Sequence, residues 1–323
     1  MSHNPLITIG ENINATRKIR LNAPRLTESG DGKKGIHYKS IDGTERFFDL
    51  TQVIESEAVQ QTGQVPFIAT ALLNQDADFL MAAVQEQLDG GSDIIDLCVD
   101  EVNPYPEKRQ EYMRWLIKAM QEKFDCRFSI DSSDPDTIEA GLSVYDFSKG
   151  QPLLNSTNLE ENRQKVIELA RETKSQLIAN ASGKEGMPDD DKGRVENLDQ
   201  MMVKMDQAGI PLGNRFLDAL VFPIGAGSEY GHHFLDAVKT LRDKYGPEIH
   251  IFGGFSNVSF GMPKRILLNE TLTLLSILAG CDTIMVDPKQ VNARKMNEFK
   301  LAADALLGKD EYCMNLITYL RES

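Results

Sequence analysis

The sequence lacks the cysteine spacing that builds a metal site or a disulfide framework. Its four cysteines, Cys98, Cys126, Cys281 and Cys313, form no Cys-x-x-Cys pair and no Cys/His cluster, so neither a zinc site nor extracellular cross-linking is indicated. No apolar run approaches the roughly 18 residues of a membrane-spanning helix, and no basic and apolar leader precedes Leu6. These absences predict a cytoplasmic protein in a reducing compartment.

Positive charge is also scarce. The 323 residues include 35 Lys and Arg against 49 Asp and Glu, which gives a formal net charge of −14. Such a chain disfavours nucleic acid as a partner, because the phosphates would be repelled. Apolar residues make up 41% of the chain, enough for a sizeable core, and the length suits one α/β barrel with an insertion. We therefore expect a single domain that acts on small molecules.

Short apolar strands alternate with amphipathic helices from residue 76 onwards. Eight strands, each followed by a helix, predict a (β/α)8 TIM barrel of the α/β class, whose functional groups lie at the carboxyl ends of the strands. No Gly-rich dinucleotide fingerprint follows the first strand, which disfavours a doubly wound open sheet. The predicted strands are residues 6–9, 93–98, 127–131, 152–155, 176–180, 215–218, 249–252 and 282–287.

The helices of this barrel are predicted from the spacing of apolar residues. The first contains Phe79 to Leu88 and ends at Gly90-Gly91. A shorter helix is expected at the carboxyl terminus. The other predicted helices are residues 105–124, 135–145, 159–174, 194–209, 232–245, 263–279 and 291–307.

The segment after the first strand does not follow the barrel pattern. Gly10–Asn14 is predicted to be a polar turn. Residues 15–75 show only brief apolar runs and no clear periodicity, which is typical of a lid or a decoration. We interpret residues 15–75 as an insertion within a single domain that covers residues 1–323.

A short polar side chain lies at or near the end of every predicted strand. This set offers acceptors and amides but no cation and no His, so it suits a neutral edge with several N–H donors, such as the 2-amino-4-oxo edge of a pterin. A single Asp or Asn at a strand end is often only a cap or a turn residue. Clustered carboxylates could also bind a divalent cation, but the acids alternate with Asn and lack a His partner, which disfavours a metal. The eight residues are Asn12, Asp96, Asp131, Asn155, Asn180, Asp218, Asn257 and Asp287.

Five short motifs in this order resemble the pterin-binding methyltransferases, which move a methyl group between methyltetrahydrofolate and a corrinoid protein. The resemblance covers nearly the whole chain except residues 15–75. Asn12, Cys98 and Phe260 depart from the residues that the family often has at these positions. The motifs are Gly10-Glu11-Asn12-Ile13-Asn14, Asp96-Leu97-Cys98-Val99, Ile130-Asp131-Ser132, Asn155-Ser156-Thr157-Asn158 and Ser256-Asn257-Val258-Ser259.

The resemblance implies a role for individual residues. A pterin would be held by Asp131, Asn155 and Asp218, and Asn257 would be the catalytic residue, hydrogen-bonded near the ring nitrogen that carries the methyl group. The implied substrate is tetrahydrofolate or methyltetrahydrofolate, the corrinoid would be carried by a partner protein, and the enzyme would be a homodimer without bound metal. Further implied pterin-binding residues are Asp96, Ser256 and Ser259, and the remaining candidates are Asn12, Asn180, Lys184 and Arg265.

Two other functions stay open at this point. Dihydropteroate synthase shares the barrel and the pterin edge, and it would be expected to show a Ser-Arg-Lys type motif where this chain has Ser256-Asn257-Val258; Lys264 and Arg265 follow slightly later. A pterin-binding subunit without catalysis is the second alternative.

The basic residues of the insertion form either a solvated loop or a patch that covers a folate tail or docks the corrinoid partner. They are Arg17, Lys18, Arg20, Arg25, Lys33 and Lys34.

Overall fold

The computed structural model describes residues 6–322. Its strands in chain order are β1 (Ile7–Asn14), β2 (Ile19–Arg20), β3 (Thr27–Glu28), β4 (Lys34–Lys39), β5 (Glu45–Asp49), β6 (Gln64–Val65), β7 (Ile94–Cys98), β8 (Arg127–Asp131), β9 (Leu153–Thr157), β10 (Gln176–Asn180), β11 (Arg215–Asp218), β12 (His250–Phe252) and β13 (Thr283–Val286). Its α-helices are α1 (Thr51–Ile54), α2 (Glu57–Thr62), α3 (Phe67–Leu73), α4 (Ala77–Asp89), α5 (Pro106–Gln121), α6 (Pro135–Leu142), α7 (Lys165–Thr173), α8 (Asp191–Gln207), α9 (Tyr230–Tyr245), α10 (Arg265–Ala279), α11 (Ala293–Leu306) and α12 (Met314–Glu322).

Eight strands form one sheet in the order β12-β11-β10-β9-β8-β7-β1-β13. The strand pairs with a defined register are parallel. The two ends of the sheet meet where Gly254 bridges Met285 and where the Asp282 N–H donates to the Ile251 carbonyl over 3.3 Å. The fold is therefore a (β/α)8 barrel, which confirms the predicted fold class and the positions of its eight strands.

A layer of large apolar side chains fills the barrel interior. Each member comes from a strand or the start of a strand, because alternate residues of a strand point to the same face. The layer contains Ile9, Ile94, Leu153, Ile178, Phe216 and Phe252, with Ile7 and Met285 packed against it.

The chain divides into two compact units. Unit 1 comprises the residues up to Gly10, Gly90–Ile94 and the chain from Leu153 onwards, and unit 2 comprises Glu11–Asp89 and Ile95–Pro152. Unit 2 contains the segment that the sequence predicts to be an insertion. Within residues 6–322, no helix is long and apolar enough to cross a membrane.

The first strand is longer than predicted. Gly10–Asn14 was expected to be a polar turn, but β1 continues through Asn14, so that prediction is wrong. The Asn12 N–H donates to the side-chain oxygen of Gln87 over 2.8 Å, and the Ala15 N–H donates to the Cys98 carbonyl over 3.0 Å. Since these backbone groups find partners in extended conformation, the polar composition of the segment does not produce a turn.

Residues 15–75 contain regular structure, although they lack a clear periodicity. Strands β3, β4 and β5 form an antiparallel sheet, and β2 pairs with β6. The sheet is held against α4, where Asp78 accepts hydrogen bonds from the Tyr38 hydroxyl (2.7 Å) and the Ser40 hydroxyl (2.6 Å). The Phe48 ring stacks on the Phe79 ring with 4.3 Å between their centres. The elements before α4 are too short for apolar periodicity to reveal them.

Candidate active site

Three carboxyl groups gather on and after β7 and β8 in unit 2. Asp131 ends β8 and is hydrogen-bonded to Asp96 and to the Cys98 thiol, both on β7. Asp96 is only 2% exposed. Asp100 accepts from the Ser132 hydroxyl over 2.5 Å and from the Ser133 N–H over 2.7 Å. Asp100 is thus fixed beside Asp131 by the turn that follows β8.

Burial changes the acidity of this cluster. It raises the pKa of Asp131 well above the usual range, and the neighbouring charges of Asp96 and Asp100 raise it further, while the Cys98 hydrogen bond lowers it. Burial likewise raises the pKa of the Cys98 thiol, so the thiol stays protonated and donates to the carboxylate. Asp131 consequently keeps a proton to higher pH than an ordinary Asp, and the pair it forms with Asp96 can both donate and accept.

The residues around Asn12 are fixed by ion pairs as well as by the β1 backbone. Arg17 lies 3.6 Å from Glu11, and Lys18 lies 3.3 Å from Glu101. Asn12 itself is partly buried, and its N–H is bound to Gln87. Two of the six basic residues in the predicted patch are therefore neutralised near this strand end.

A second group of polar residues lies at the ends of β9 and β10 in unit 1. Asn180 donates from Nδ2 to the Ser156 hydroxyl over 2.9 Å, and its Oδ1 accepts from the Ser182 N–H over 3.0 Å. The Ser156 hydroxyl also accepts from the buried Arg163 guanidinium over 3.3 Å. Asn155, partly buried, precedes Ser156 through a cis peptide bond. Asn180 thus supports the carboxyl end of β9 at Ser156 through its own amide.

Asp218 ends β11 in register with Asn180 of β10. Its Oδ1 accepts from the Leu220 N–H over 2.9 Å. Burial raises its pKa to about 6, while the Leu220 hydrogen bond and the charge of Arg194 lower it. With a pKa of about 6, Asp218 is mostly ionised at neutral pH. Without the Leu220 hydrogen bond and the Arg194 charge, burial would raise its pKa further.

Asn257 lies in a short 3-10 helix, Phe255–Ser259, that follows β12. Its side chain is exposed and makes no hydrogen bond to another residue of the described chain. An added methyl group on Gly254 would lie 3.2 Å from the Asn257 amide nitrogen, so the glycine leaves room for this amide. The amide is consequently available to a ligand.

The turn that carries Asn257 is held from behind by α10. The fully buried Ser259 hydroxyl donates to Asn269 over 2.7 Å and accepts from Arg265 Nε over 3.0 Å, and Arg265 Nη2 donates to the Ser256 carbonyl over 2.7 Å. Ser259 and Arg265 therefore fix the backbone of the turn. Ser256 itself is partly buried next to Asn257.

Lys184 and Asp287 occupy different surroundings. Lys184 is exposed on the loop after β10, where Gly183 bridges Gly186. Asp287 accepts from the Lys289 N–H over 3.0 Å and from the Gln290 side chain over 2.9 Å. Asp287 thus helps to form the turn after β13. Among residues 6–322, no group of three or more His, Cys, Asp or Glu side chains is arranged to hold a metal ion.

The model of a family described as pterin binding enzyme matches residues 65–287 of the chain. The chain belongs to the pterin-binding enzyme family. It is 30% identical over 255 residues to the methylcorrinoid:tetrahydrofolate methyltransferase of Eubacterium limosum, covering 78% of this chain and 90% of that protein. It is also 24% identical to the methionine synthase of Mycobacterium leprae, over 68% of this chain but only 19% of that much longer protein.

The solved structures that resemble this pterin-binding enzyme confirm the barrel. A dihydropteroate synthase of Yersinia pestis with a pterin-sulfa conjugate gives a TM-score of 0.58 at 18% identity, covering 71% of this chain and 89% of that one. The dihydropteroate synthase of Vibrio fischeri gives 0.55 at 15% identity, covering 72% and 88%. At this level of identity the likeness concerns the fold alone.

Several residues that shape these strand ends carry no motif in the sequence. Gln87 binds the backbone of β1, Arg163 binds Ser156, and Asn269 binds Ser259. Arg194 is the most informative of them, because it lies on the buried side of α8 with Leu198, one helical turn later. An arginine on the apolar side of an amphipathic helix is the one sequence signal that could have found such a residue.

Proposed function

We propose that this protein is a methyltransferase that moves a methyl group between the N5 nitrogen of methyltetrahydrofolate, or a related pterin, and the cobalt of a separate corrinoid protein. The observation that carries the proposal is the 30% identity, over 90% of its length, to a methylcorrinoid:tetrahydrofolate methyltransferase.

The proposed pterin ligands supply complementary hydrogen-bonding groups. An ionised carboxylate such as Asp218 can accept from the exocyclic amine and the adjacent ring N–H of a pterin together, as it would from a guanidinium. Because its pKa is raised, Asp131 keeps a proton to higher pH than an ordinary Asp, and a protonated carboxyl group can donate as well as accept. The Asn155 amide can do both. Asp96 acts through its hydrogen bond to Asp131. Asn12, Asn180 and Lys184 remain further candidates for contacts with the pterin or its tail.

The Asn257 amide is the proposed catalytic group. A tertiary amine is a poor leaving group unless its nitrogen gains a proton or a hydrogen bond as the carbon–nitrogen bond breaks. A donor that strengthens its contact at this moment lowers the barrier, since it binds the transition state better than the ground state. Asn257 is suited to this role because its amide is exposed and not bound within the described chain.

The residues around Asn257 would keep that amide in position. Arg265 and Ser259 fix the backbone of the turn at both ends, and Gly254 leaves space beside the amide. Preorganised donors need little rearrangement during the reaction, which is why such support contributes to rate. The cobalt of the partner's corrinoid would donate or accept the methyl group. The role of this chain would be to hold the pterin nitrogen and its methyl group in line with that cobalt.

The proposal is tested with purified protein under anaerobic conditions. A methylated corrinoid and tetrahydrofolate are mixed with the enzyme, the cobalt spectrum is followed, and methyltetrahydrofolate is quantified. We expect enzyme-dependent demethylation of the corrinoid with equal formation of methyltetrahydrofolate. A protein that binds tetrahydrofolate without turnover would instead be a non-catalytic pterin-binding subunit, and condensation of p-aminobenzoate with a pterin diphosphate would identify a dihydropteroate synthase.

The proposed function also includes a corrinoid protein as partner and a homodimer of this chain. We propose that the corrinoid protein docks transiently and that two copies of this chain associate. Enzyme kinetics with a corrinoid protein compared with free methylcobalamin would show a lower KM for the protein-bound form, and sedimentation would give the mass of a dimer. Equal KM values for the two forms would contradict a dedicated corrinoid partner.

A further inference from the structure

Arg194 is the largest fully buried side chain of the described residues, and its exposed fraction is 0%. Its Nε donates to the carbonyls of Ala219 (3.0 Å) and Leu220 (3.4 Å), and Nη1 donates to the Asp190 carbonyl (2.8 Å). Its guanidinium carbon lies 4.5 Å from the centre of the Phe222 ring. Within residues 6–322 it forms no ion pair with a carboxylate, which is unusual for a buried arginine.

Arg194 and Asp218 both bind the backbone of Leu220, one at its carbonyl and the other at its N–H. The Asp218 carboxylate accepts the Leu220 N–H, and Arg194 donates to the Leu220 carbonyl. Leu220 has a φ of +60°, in the left-handed region that is unfavourable for leucine. Such a backbone conformation persists only where the surroundings fix it. The two side chains therefore fix the turn that directly follows the proposed pterin ligand.

We infer that Arg194 is a positioning residue for Asp218: it holds the turn of residues 219–222, whose Leu220 N–H binds the Asp218 carboxylate, and it places a buried cation behind that turn. This inference rests on the proposed function, because it concerns a proposed pterin ligand. Since Arg194 is fully buried, it acts through Asp218 and the turn. The observation that carries the inference is that its donors reach the turn carbonyls while its charge has no carboxylate partner of its own.

The surrounding charges agree with this assignment. Burial raises the pKa of Asp218, and Arg194 is the cation that lowers it again. Burial lowers the pKa of Arg194 itself, and the neighbouring acidic groups raise it. Burial also raises the pKa of Cys281, so this thiol adds no charge. The titratable groups that face the pair are Asp190 and Asp191 around the start of α8, Tyr230 at the start of α9 and Cys281 before β13.

The test titrates the Asp218 carboxyl group by carbon NMR in the protein without ligand, with the resonance assigned by Asp218→Asn. The midpoint should rise above the wild-type value of about 6 in Arg194→Gln, because the nearby cation and the support of the turn that presents the Leu220 N–H are both lost. It should stay near the wild-type value in Arg194→Lys, which keeps the charge. Arg171→Gln, at an exposed arginine of α7, is the matched control.

Arg194→Lys also tests the positioning role if Arg194→Gln does not fold. Lysine has no N–H at the place of Arg194 Nε, which donates to both turn carbonyls. Amide exchange of Leu220 should therefore accelerate by about tenfold or more, whereas the Asp218 midpoint is preserved. Unchanged exchange at Leu220 would overturn the positioning role, and an unchanged midpoint in a folded Arg194→Gln variant would overturn the electrostatic one.

Pterin binding separates this inference from the proposed function. In Arg194→Gln, the affinity for tetrahydrofolate should fall at pH values below the new Asp218 midpoint and recover above it. A loss that has the same size at every pH would mean a general structural role and would contradict the inference. If Asp218→Asn leaves the affinity for pterin unchanged, the proposed pterin site is wrong, while the NMR titration still decides the role of Arg194.

Discussion

The replacement of Asn257 by alanine is the sharpest test of the proposed chemistry. Its amide is exposed and forms no hydrogen bond within the described chain, so the replacement removes no interaction that stabilises the fold. We expect the melting temperature to stay within the range of a neutral surface change. Any change in activity can then be attributed to the contact with substrate.

The expected loss in rate is larger than the loss in binding. A hydrogen bond made equally in the ground state contributes about 0.5–1.5 kcal/mol, or about two- to tenfold in affinity. A donor that acts in the transition state typically contributes about 2.7–4 kcal/mol, or roughly a hundred- to a thousandfold in rate. Asn257→Ala should therefore lower single-turnover methyl transfer by at least ten times more than it weakens methylpterin binding.

The assay measures both quantities on one preparation. Transfer to a free Co(I) corrinoid is followed in a stopped-flow instrument at saturating methyltetrahydrofolate, and the dissociation constant comes from a parallel binding titration. Asn315→Ala, at an exposed position of α12, is the matched control and should change neither value. If rate and affinity fall by the same factor in Asn257→Ala, the amide only positions the pterin, and the catalytic role is wrong.

Five further predictions concern other residues of the described chain. Gly254→Ala should displace the Asn257 amide by a few tenths of an ångström and reduce the rate less than Asn257→Ala does; an unchanged rate would mean that the amide position is not critical. Asp131→Ala should weaken pterin binding by about two- to tenfold, measured by calorimetry, because one ground-state hydrogen bond to the pterin edge is lost. The pKa of Asp131 is raised in the folded protein, so its protonated side chain favours folding at low pH, and this contribution is lost as the pH rises from the ordinary Asp pKa of about 4 through the folded-state pKa. Asp131→Asn should therefore become more stable relative to the wild type as the pH rises. Melting temperatures that change in parallel with pH in the two proteins would refute this. Asp78→Ala should destabilise the protein by about 1.5–3 kcal/mol and accelerate amide exchange in β4, whereas Asp42→Ala at the exposed β4–β5 turn should have little effect. Shortening residues 22–45 should raise the KM for the folate or the corrinoid protein, and unaltered values for both would show that the segment is only a solvated decoration.

The barrel could be predicted because its strands are short apolar runs between regular helices, and each pattern repeats at the spacing of a βα unit. The limits of the elements were harder to predict. The sequence predicts a helix over 194–209, but α8 begins at Asp191 because the Asp190 side chain accepts from the Gly193 N–H. The predicted helix 159–174 begins as a 3-10 turn, Glu161–Gln164, before α7. The first residue of a helix is decided by local contacts such as a single capping side chain, and the spacing of apolar residues does not reveal such contacts.

The candidate site was predictable only in part, for a physical reason. Residues that end a strand with a polar side chain, such as Asp131 and Asp218, are marked by the apolar run before them. Residues that act from a helix behind the strand, such as Arg194, have no local signal, because their partners are backbone carbonyls whose position depends on the fold. A patch of basic residues was equally ambiguous in sequence: Lys33 lies 3.6 Å from Asp49 and is partly neutralised.

The two proposed carboxylate ligands differ in the way their charge is controlled. Asp131 has acidic neighbours and a protonated thiol, so its pKa is raised by burial and by like charges together. Asp218 is also raised by burial, but only to about 6, because Arg194 and the Leu220 N–H oppose it. The Asp131 carboxyl group therefore resists ionisation more than an ordinary Asp does, whereas Asp218, with a pKa of about 6, is mostly an anion at neutral pH. A pterin edge presents both donors and acceptors, and an enzyme that binds it gains from one group that can donate and one that can only accept. Acidification towards pH 5 should consequently weaken pterin binding through Asp218 first, and the Asp218→Asn variant should lose that part of the pH dependence.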